Sequence, residues 1–392
     1  MAGYRYGVIG AGRAGTAAAF DLAVRGEAEE VVLADIDPER ALGAAGRVNR
    51  LAGRAVAKGV RLDALDSHAT RAFLDPLDAA LVAASYTLTL GVSYAGIEAG
   101  THVCDLGGNT GVVLQQLQLS EAARHRRVCL VPDCGEAPGL ASNLMAYAKT
   151  LLDQTTDLLL LDGGLPLHPK PPWNYRLTFN MDGLTNEYYG NTTFIVDGEP
   201  VGVESFDPAE YELVEFEPPF GVLEAFPAGG ASTTPWTLGE GMRSFRNKVL
   251  RYPGHAAQFR AFRDLGLFEE EVVLAGGLRI RPRDVYHALM EPKIRADASI
   301  RDAVIARVVA SGTKDGEPAE ATVDFRAWYD DVLGFTAMEE STGWHAAIVC
   351  RLMASGAIEP GARPVELAVD PALMVEALQK RGFDVAESVQ PA

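Results

Sequence analysis

The sequence predicts an α/β protein, with an N-terminal Rossmann doubly wound parallel sheet joined to a second α+β domain whose sheet is largely antiparallel. Three observations lead there. Short β-branched runs alternate with amphipathic stretches through the first third of the chain, the pattern of repeated βαβ units. A glycine turn, Gly10-Ala11-Gly12-Arg13-Ala14-Gly15, directly follows the first of those runs and opens a helix. Beyond about Asp133 the pattern changes to longer strand-like runs, two of them closed by the hairpin dipeptides Asp197-Gly198 and Asp315-Gly316.

Six strands are expected in the first domain: Tyr4 to Ile9, Val31 to Ala34, a weak one near Ala55 to Ala57, Ala79 to Ala84, His102 to Asp105, and Val128 to Val131. Helical spacing of apolar residues fills the gaps over Gly15 to Arg25, Pro38 to Ala52, Leu88 to Ala99 and Val112 to His125. A helix over Gly139 to Leu152 then leads to strands at Asp157 to Asp162, Tyr175 to Asn180, Thr192 to Val196, Ala306 to Ala310 and Ala321 to Phe325. The tail, Gly343 to Ala354 and Leu373 to Arg381, has helical period. A parallel sheet needs cover on both faces, so the tail is expected to return to the first domain. The resulting division is 1–135, 136–340 and 341–392.

A chain of 392 residues exceeds the roughly 250 to 300 at which one core stops growing, in keeping with two domains. Its 48% hydrophobic and 22% charged residues are those of a globular protein. A net charge of −18 repels phosphate backbones and anionic lipid, which argues against nucleic acid or membrane partners and for a small metabolite. Cys104, Cys129, Cys134 and Cys350 lack metal-ligand or disulfide-framework spacing, so no metal is expected and a reducing cytoplasm fits. Nothing from Met1 to Tyr6 reads as a signal peptide, and Ala79 to Ala99 carries too many polar and glycine breaks for a membrane span.

The glycine turn carries the first chemistry. Gly10 makes the tight turn, Gly12 lets the backbone approach a pyrophosphate, and Gly15 allows close helix-to-strand packing. The helix start, with Arg13 and Ala14, offers free N–H groups to the phosphates. Asp35, ending the second strand, would accept the ribose hydroxyls and repel a 2′-phosphate; no arginine follows at Ile36 or Asp37, so NAD is expected over NADP. Ser85 and Tyr86 after the fourth strand, and Asp105 after the fifth, fall on the carboxyl edge of the sheet, where the nicotinamide half would lie. For Ser85 and Tyr86 the alternative is an ordinary capped loop.

Four further motifs in order, Asp133-Cys134-Gly135-Glu136-Ala137-Pro138-Gly139, Gly163-Gly164-Leu165-Pro166, Trp173-Asn174-Tyr175 and Leu250-Arg251-Tyr252-Pro253-Gly254-His255, give the chain its resemblance. It resembles the saccharopine dehydrogenase superfamily, and within it the L-lysine 6-dehydrogenases, over nearly its whole length. Glu136 departs from that pattern where an apolar residue is expected, as does Trp344-His345, where small residues or proline are expected. The resemblance implies a catalytic α+β domain, use of NAD, oxidation at a C–N bond of lysine or a derivative, and a homo-oligomer, dimer or tetramer.

Amine oxidation needs a neutral nitrogen, because the developing iminium uses a lone pair that an ammonium lacks. Free lysine titrates at about 10.4, so a proton acceptor is required. Asp133 and Glu136 could anchor the cation or relay its proton, and His255 is the alternative base; Asp133 could equally be a helix cap. Arg251 with Lys248 could clamp a substrate carboxylate, and Cys134 could line the pocket or be a buried thiol. The leading expectation is oxidation of the ε-amine of L-lysine to 2-aminoadipate 6-semialdehyde, which cyclises, and ammonia. The runners-up are a secondary amine such as saccharopine or carboxynorspermidine, and, from another class, an NAD-binding regulatory module without turnover.

Overall fold

The structure is a computed structural model that describes residues 3–274, 276–297 and 299–392. Its first half runs β1 (Tyr4–Ile9), α1 (Arg13–Arg25), β2 (Ala28–Asp35), α2 (Pro38–Ala52), β3 (Ala57–Arg61), α3 (Ser67–Leu74), β4 (Ala79–Val82), α4 (Tyr86–Ala99), β5 (His102–Asp105), α5 (Thr110–Leu117), α6 (Ser120–Arg126), β6 (Cys129–Val131) and α7 (Leu140–Thr150). Helix starts follow local chemistry. Asp37 caps α2 through the amides of Glu39 and Arg40 with Pro38 in the first turn, Asp66 caps α3, and Asn109 caps α5. The expected helix Val112 to His125 is two helices, broken between Leu117 and Ser120, and α3 has no counterpart among the expected elements.

The strands pair in parallel in the order β3-β2-β1-β4-β5-β6, with Gly361–Ala362 added beside β6. That is the doubly wound order, and its switch point lies between β1 and β4. Gly10 and Ala83 leave the carboxyl ends of those two strands side by side; a Cβ on Gly10 would overlap the Ala83 carbonyl oxygen, and its φ of +104° suits glycine alone.

The second half runs β7 (Gln154–Pro166), α8 (Met181–Glu187), β8 (Asn191–Val196), β9 (Glu199–Glu204), β10 (Glu212–Phe216), β11 (Gly221–Pro227), α9 (Thr234–Thr237), β12 (Ser244–Arg251), α10 (His255–Asp264), a two-stranded ribbon β13 (Val272–Val273) and β14 (Arg279–Ile280), α11 (Pro282–Ile294), β15 (Asp302–Lys314) and β16 (Glu317–Trp328). The main sheet is antiparallel except where β12 lies parallel to β7. Asp197-Gly198 and Asp315-Gly316 both adopt positive φ and turn their hairpins with two residues, as the twist of paired strands favours.

The expected strand Tyr175 to Asn180 is not a strand. Leu177 makes only an isolated bridge to Arg295, and the alternation of Tyr175 and Leu177 reflects a loop burying those side chains beneath α8, α10 and α11.

The tail runs α12 (Ala337–Ala354), β17 (Gly361–Ala362), α13 (Val365–Ala368), α14 (Pro371–Gln379) and β18 (Asp384–Pro391). It holds more than the helices expected, because β17 extends the first sheet and β18 pairs with β16 at the edge of the second. Gly343 lets α12 cross α1 closely: a Cβ there would lie 2.7 Å from the Ala14 carbonyl oxygen. Trp344 packs against Phe20 and Phe383 beneath the Arg25 guanidinium. Among the described residues, no helix is long and apolar enough to cross a membrane.

Candidate active site

At the carboxyl edge of the parallel sheet, Gly12 is the N-cap of α1, no side chain caps the helix, and its first turn holds no acidic residue. The amides of Arg13, Ala14 and Gly15 are therefore presented to an anion. Space is left there too, since a Cβ on Gly12 would meet no atom within 4 Å, whereas one on Gly15 would overlap the Gly10 carbonyl oxygen. Asp35 is buried at the end of β2, where its carboxylate accepts from the amides of Ala11 (2.9 Å) and Asp37 (3.0 Å). These residues fit a dinucleotide: a phosphate cradle without side chains, and a carboxylate one strand away. Arg40, a turn into α2, lies 3.9 Å from Asp35 and is a cation that inspection of Ile36 and Asp37 alone passes over.

Three of the expected cofactor side chains are committed elsewhere. The Arg13 guanidinium reaches across to the carbonyls of Thr178 (3.3 Å) and Ala296 (3.1 Å) and to Glu339, so only its amide serves the cradle. Asp105 turns inward to the Gly107 amide and Gln116, and shapes the loop after β5 from beneath. Ser85 caps α4. Tyr86 stands beside Gly108, on the same edge of the sheet.

Asp133 follows β6 in the left-handed region, at φ +60°, a conformation that for a non-glycine residue marks a constrained position. One oxygen accepts from the Ser232 hydroxyl; the other lies against Gly107 and has no partner. Burial, helped by the charges of Asp105 and Glu366 and opposed by Ser232, pushes its carboxyl up to about 8. His345 braces the crossover from α12, with Nδ1 on the Cys134 carbonyl (2.9 Å) and Nε2 on Asn143 (2.8 Å). Cys134 itself points into the core beside Cys104 and donates to the Val131 carbonyl, so it does not line the cleft.

A second group gathers around Arg251. Its Nε donates to the Tyr188 hydroxyl (2.8 Å), Nη1 to the Leu250 carbonyl (2.9 Å) and Nη2 to Glu187 (2.8 Å), and the residue is 3% exposed. Gly163 makes room, since a Cβ there would lie 3.3 Å from Nη1. Arg251 thus spends three of its five N–H donors on the protein and is not the loop residue expected of a carboxylate clamp, lying instead at the end of β12. Lys248, expected beside it, is corrected too. It lies in β12, not in a loop; three residues from Arg251 in a strand places it on the opposite face, where it pairs with Glu210 and Glu212.

His255, the alternative base, is buried in an aromatic cluster with Nδ1 unpartnered. It stacks on Phe259, with ring centroids 3.9 Å apart, and Nε2 is taken by Tyr188 (2.9 Å). Burial, with Arg251 close by, pushes it well below the usual imidazole range, so it stays neutral and props Tyr188 under Arg251.

Three carboxyl groups feel the charge of Arg251, and Glu187 bonds to it directly. Glu136 is buried with Oε1 unpartnered, and burial together with repulsion from Asp162 and Glu187 holds it well above the usual range. Asp162 is pushed up to about 7 by burial and Glu187, and Glu187 is raised by burial against the pull of Arg251. Sequence reasoning does not single out Asp162, Glu187, Tyr188 or Ser232. Asp162 carries a signal, a charge ending the apolar run Leu158 to Leu161 before two glycines. The other three carry none.

The comparisons with known proteins bear on the family and the fold. The saccharopine dehydrogenase C-terminal domain matches residues 135–383, more than half the chain. The chain belongs to the saccharopine dehydrogenase family. As a member it is similar in fold to apo saccharopine dehydrogenase (L-Glu forming) from Saccharomyces cerevisiae, at TM-score 0.78 and 16% identity over 99% of this chain and 100% of the yeast one. It is similar also to a homospermidine synthase from Legionella pneumophila in complex with NAD, at TM-score 0.68 and 10% identity over 99% and 91% of the two chains. For the family member in hand, Asp35→Ala is expected to raise the NAD Michaelis constant about tenfold and relax rejection of NADP, aided by Arg40; steady-state kinetics with both cofactors measure it.

Proposed function

We propose that this protein is an NAD-dependent dehydrogenase that oxidises the carbon bearing an amine. One observation carries the reading: three buried carboxyl groups, Asp133, Glu136 and Asp162, and the partly buried Glu187 gather with one committed arginine near the junction of the dinucleotide-binding sheet and the second domain. Carboxyl groups buried in this way are costly to ionise unless a cation stands beside them, and a protonated amine is such a cation. NAD, which the Legionella fold relative carries, supplies the hydride acceptor at its nicotinamide.

Asp133 is the proton acceptor in this reading. Held near 8, it can take a proton from an ammonium and leave the neutral amine that hydride loss requires. The carbon gives a hydride, the nitrogen lone pair forms the C=N bond, and water hydrolyses the iminium to an aldehyde and ammonia. The substrate we favour is L-lysine, oxidised at its ε-amine to 2-aminoadipate 6-semialdehyde, with homo-oligomers as the working form and a reducing cytoplasm as the setting. Carboxylate-rich secondary amines such as saccharopine rank lower, because Arg251 already bonds to Tyr188, the Leu250 carbonyl and Glu187.

The test is NADH formation by the purified protein with NAD and lysine, saccharopine or simple amines. Turnover of lysine but not saccharopine is expected. NAD binding without NADH from any amine would sink the catalytic reading and leave a regulatory module.

A further inference from the structure

The tail does more than complete the two sheets. Between α14 and the carboxyl-terminal turns of α1 and α12 lies a cavity of about 340 Å³, with Ile348, Leu352 and Leu373 on its apolar wall and Arg25, Arg351 and Arg381 around it. That volume falls at the lower end of small-molecule pockets. Arg25 is the last residue of α1, about 18 Å along the helix from the amides of the phosphate cradle, so the cavity is separate from the cleft and from the amine chemistry proposed above. We propose that it is a binding site for a small aliphatic carboxylate, with the charged head on the arginines and the tail against the apolar wall.

The charges point to an anion. Arg25 and Arg381 converge on one carboxylate, Asp21, which is 1% exposed: Arg25 Nη1 lies at 2.9 Å and Arg381 Nη2 at 2.6 Å, while Arg381 Nη1 donates to the Ala377 carbonyl (3.0 Å). Arg351 pairs through Nη2 with Glu27, and Lys380, also at the cavity, pairs with Glu376 (2.5 Å). Four cations thus meet three carboxylates in these ion pairs. Glu340, another carboxyl that feels Arg25, is pushed up to about 9, chiefly by burial, so it is uncharged at neutral pH and does not make up the difference. A guanidinium has five N–H donors in a planar fork, and Arg25 and Arg351 each give one nitrogen to these pairs. Such forks match a carboxylate. Arg25 is also held over the Trp344 ring, 4.8 Å from its centre, which fixes the fork in place before anything binds.

The wall decides against a bare anion. Inorganic phosphate would leave Ile348, Leu352 and Leu373 in contact with water, whereas an alkyl chain covers them. Cations in the last turns of α1 and α12 suit the negative ends of those helices, but that accounts for neither the shared Asp21 nor the apolar wall.

The probe is octanoate, titrated calorimetrically into the full-length protein beside acetate, which keeps the charge without the tail, and octanol, which keeps the tail without the charge. Octanoate is expected to saturate a single site and to bind at least about tenfold more tightly than either control, or about 1.4 kcal/mol. Arg351→Gln, at a partly exposed side chain, should weaken octanoate about tenfold and leave octanol unchanged. Leu373→Asn, at a residue 39% exposed, should weaken octanoate and leave acetate unchanged, and it still reads the site if Arg351→Gln fails to fold. Equal binding of octanoate and octanol would mean apolar adsorption, and equal binding of octanoate and acetate would mean simple ion pairing; either overturns the proposal. So does the absence of saturable binding, or wild-type octanoate affinity in both variants.

Discussion

Asp133→Asn is expected to lower amine turnover by roughly 10²- to 10⁴-fold, the span that a positioned general base contributes. In the wild type, activity should climb as pH rises through about 8, because only the ionised carboxylate takes the proton; in the variant that limb should vanish. The same substitution should make the protein more stable at alkaline pH. A carboxyl raised from 3.8 to about 8 by folding binds its proton more tightly when folded. Stability is therefore lost as pH rises from the unfolded value through the folded one. At about 1.4 kcal/mol for every tenfold change in proton affinity, the uncharged asparagine should gain on the order of several kcal/mol over aspartate at an alkaline pH of about 9, and the gap should close towards a pH of about 4. Thermal melts across pH beside steady-state rates measure both. A variant with full activity and no alkaline limb change would remove Asp133 from the mechanism.

Gly12→Ala and Gly15→Ala should fail in different ways. At Gly12 the new methyl meets no protein atom within 4 Å and the backbone φ of −77° suits alanine, so the melting temperature should hold while the methyl blocks the cofactor's approach. NAD affinity should fall about 100-fold, or about 2.8 kcal/mol. At Gly15 the methyl overlaps the Gly10 carbonyl oxygen, and Ala83 Cβ closes the other side at 3.2 Å. The overlap is with backbone, so α1 must shift from β1, costing about 1–3 kcal/mol of stability or more, and its amides shift with it. Both readouts should drop for Gly15→Ala. Calorimetric NAD titration and melting curves separate the two; NAD bound normally by Gly12→Ala would move the pyrophosphate off this turn.

What can be read in the sequence is what local chemistry decides. The glycine turn and the Asp-Gly hairpins are legible because their backbone angles constrain which residues can stand there. Fold class and cofactor cradle follow from them. The apolar alternation of Tyr175 and Leu177 is ambiguous for a physical reason: burial has the same period whether a segment pairs in a sheet or lies as a loop beneath helices. Lys248 and Arg251 look like neighbours along the chain, but once β12 is known to be a strand their odd spacing sends them to opposite faces. Glu187 and Tyr188 reach Arg251 from 64 and 63 positions away, a distance at which spacing carries no information. His255 is legible as a special residue but not in its role, because its burial and its ring partner depend on tertiary packing alone.

The tail that adds β17 to one sheet and β18 to the other bears on how the chain can be assembled on the ribosome. Until residues 361–391 have emerged, the β16 edge offers unpaired backbone groups to any passing strand. Asp21, on α1, likewise lacks the Arg381 guanidinium that closes on it at 2.6 Å. Neither half can reach its final form before the other is nearly complete, so the two domains are one unit of synthesis and of failure.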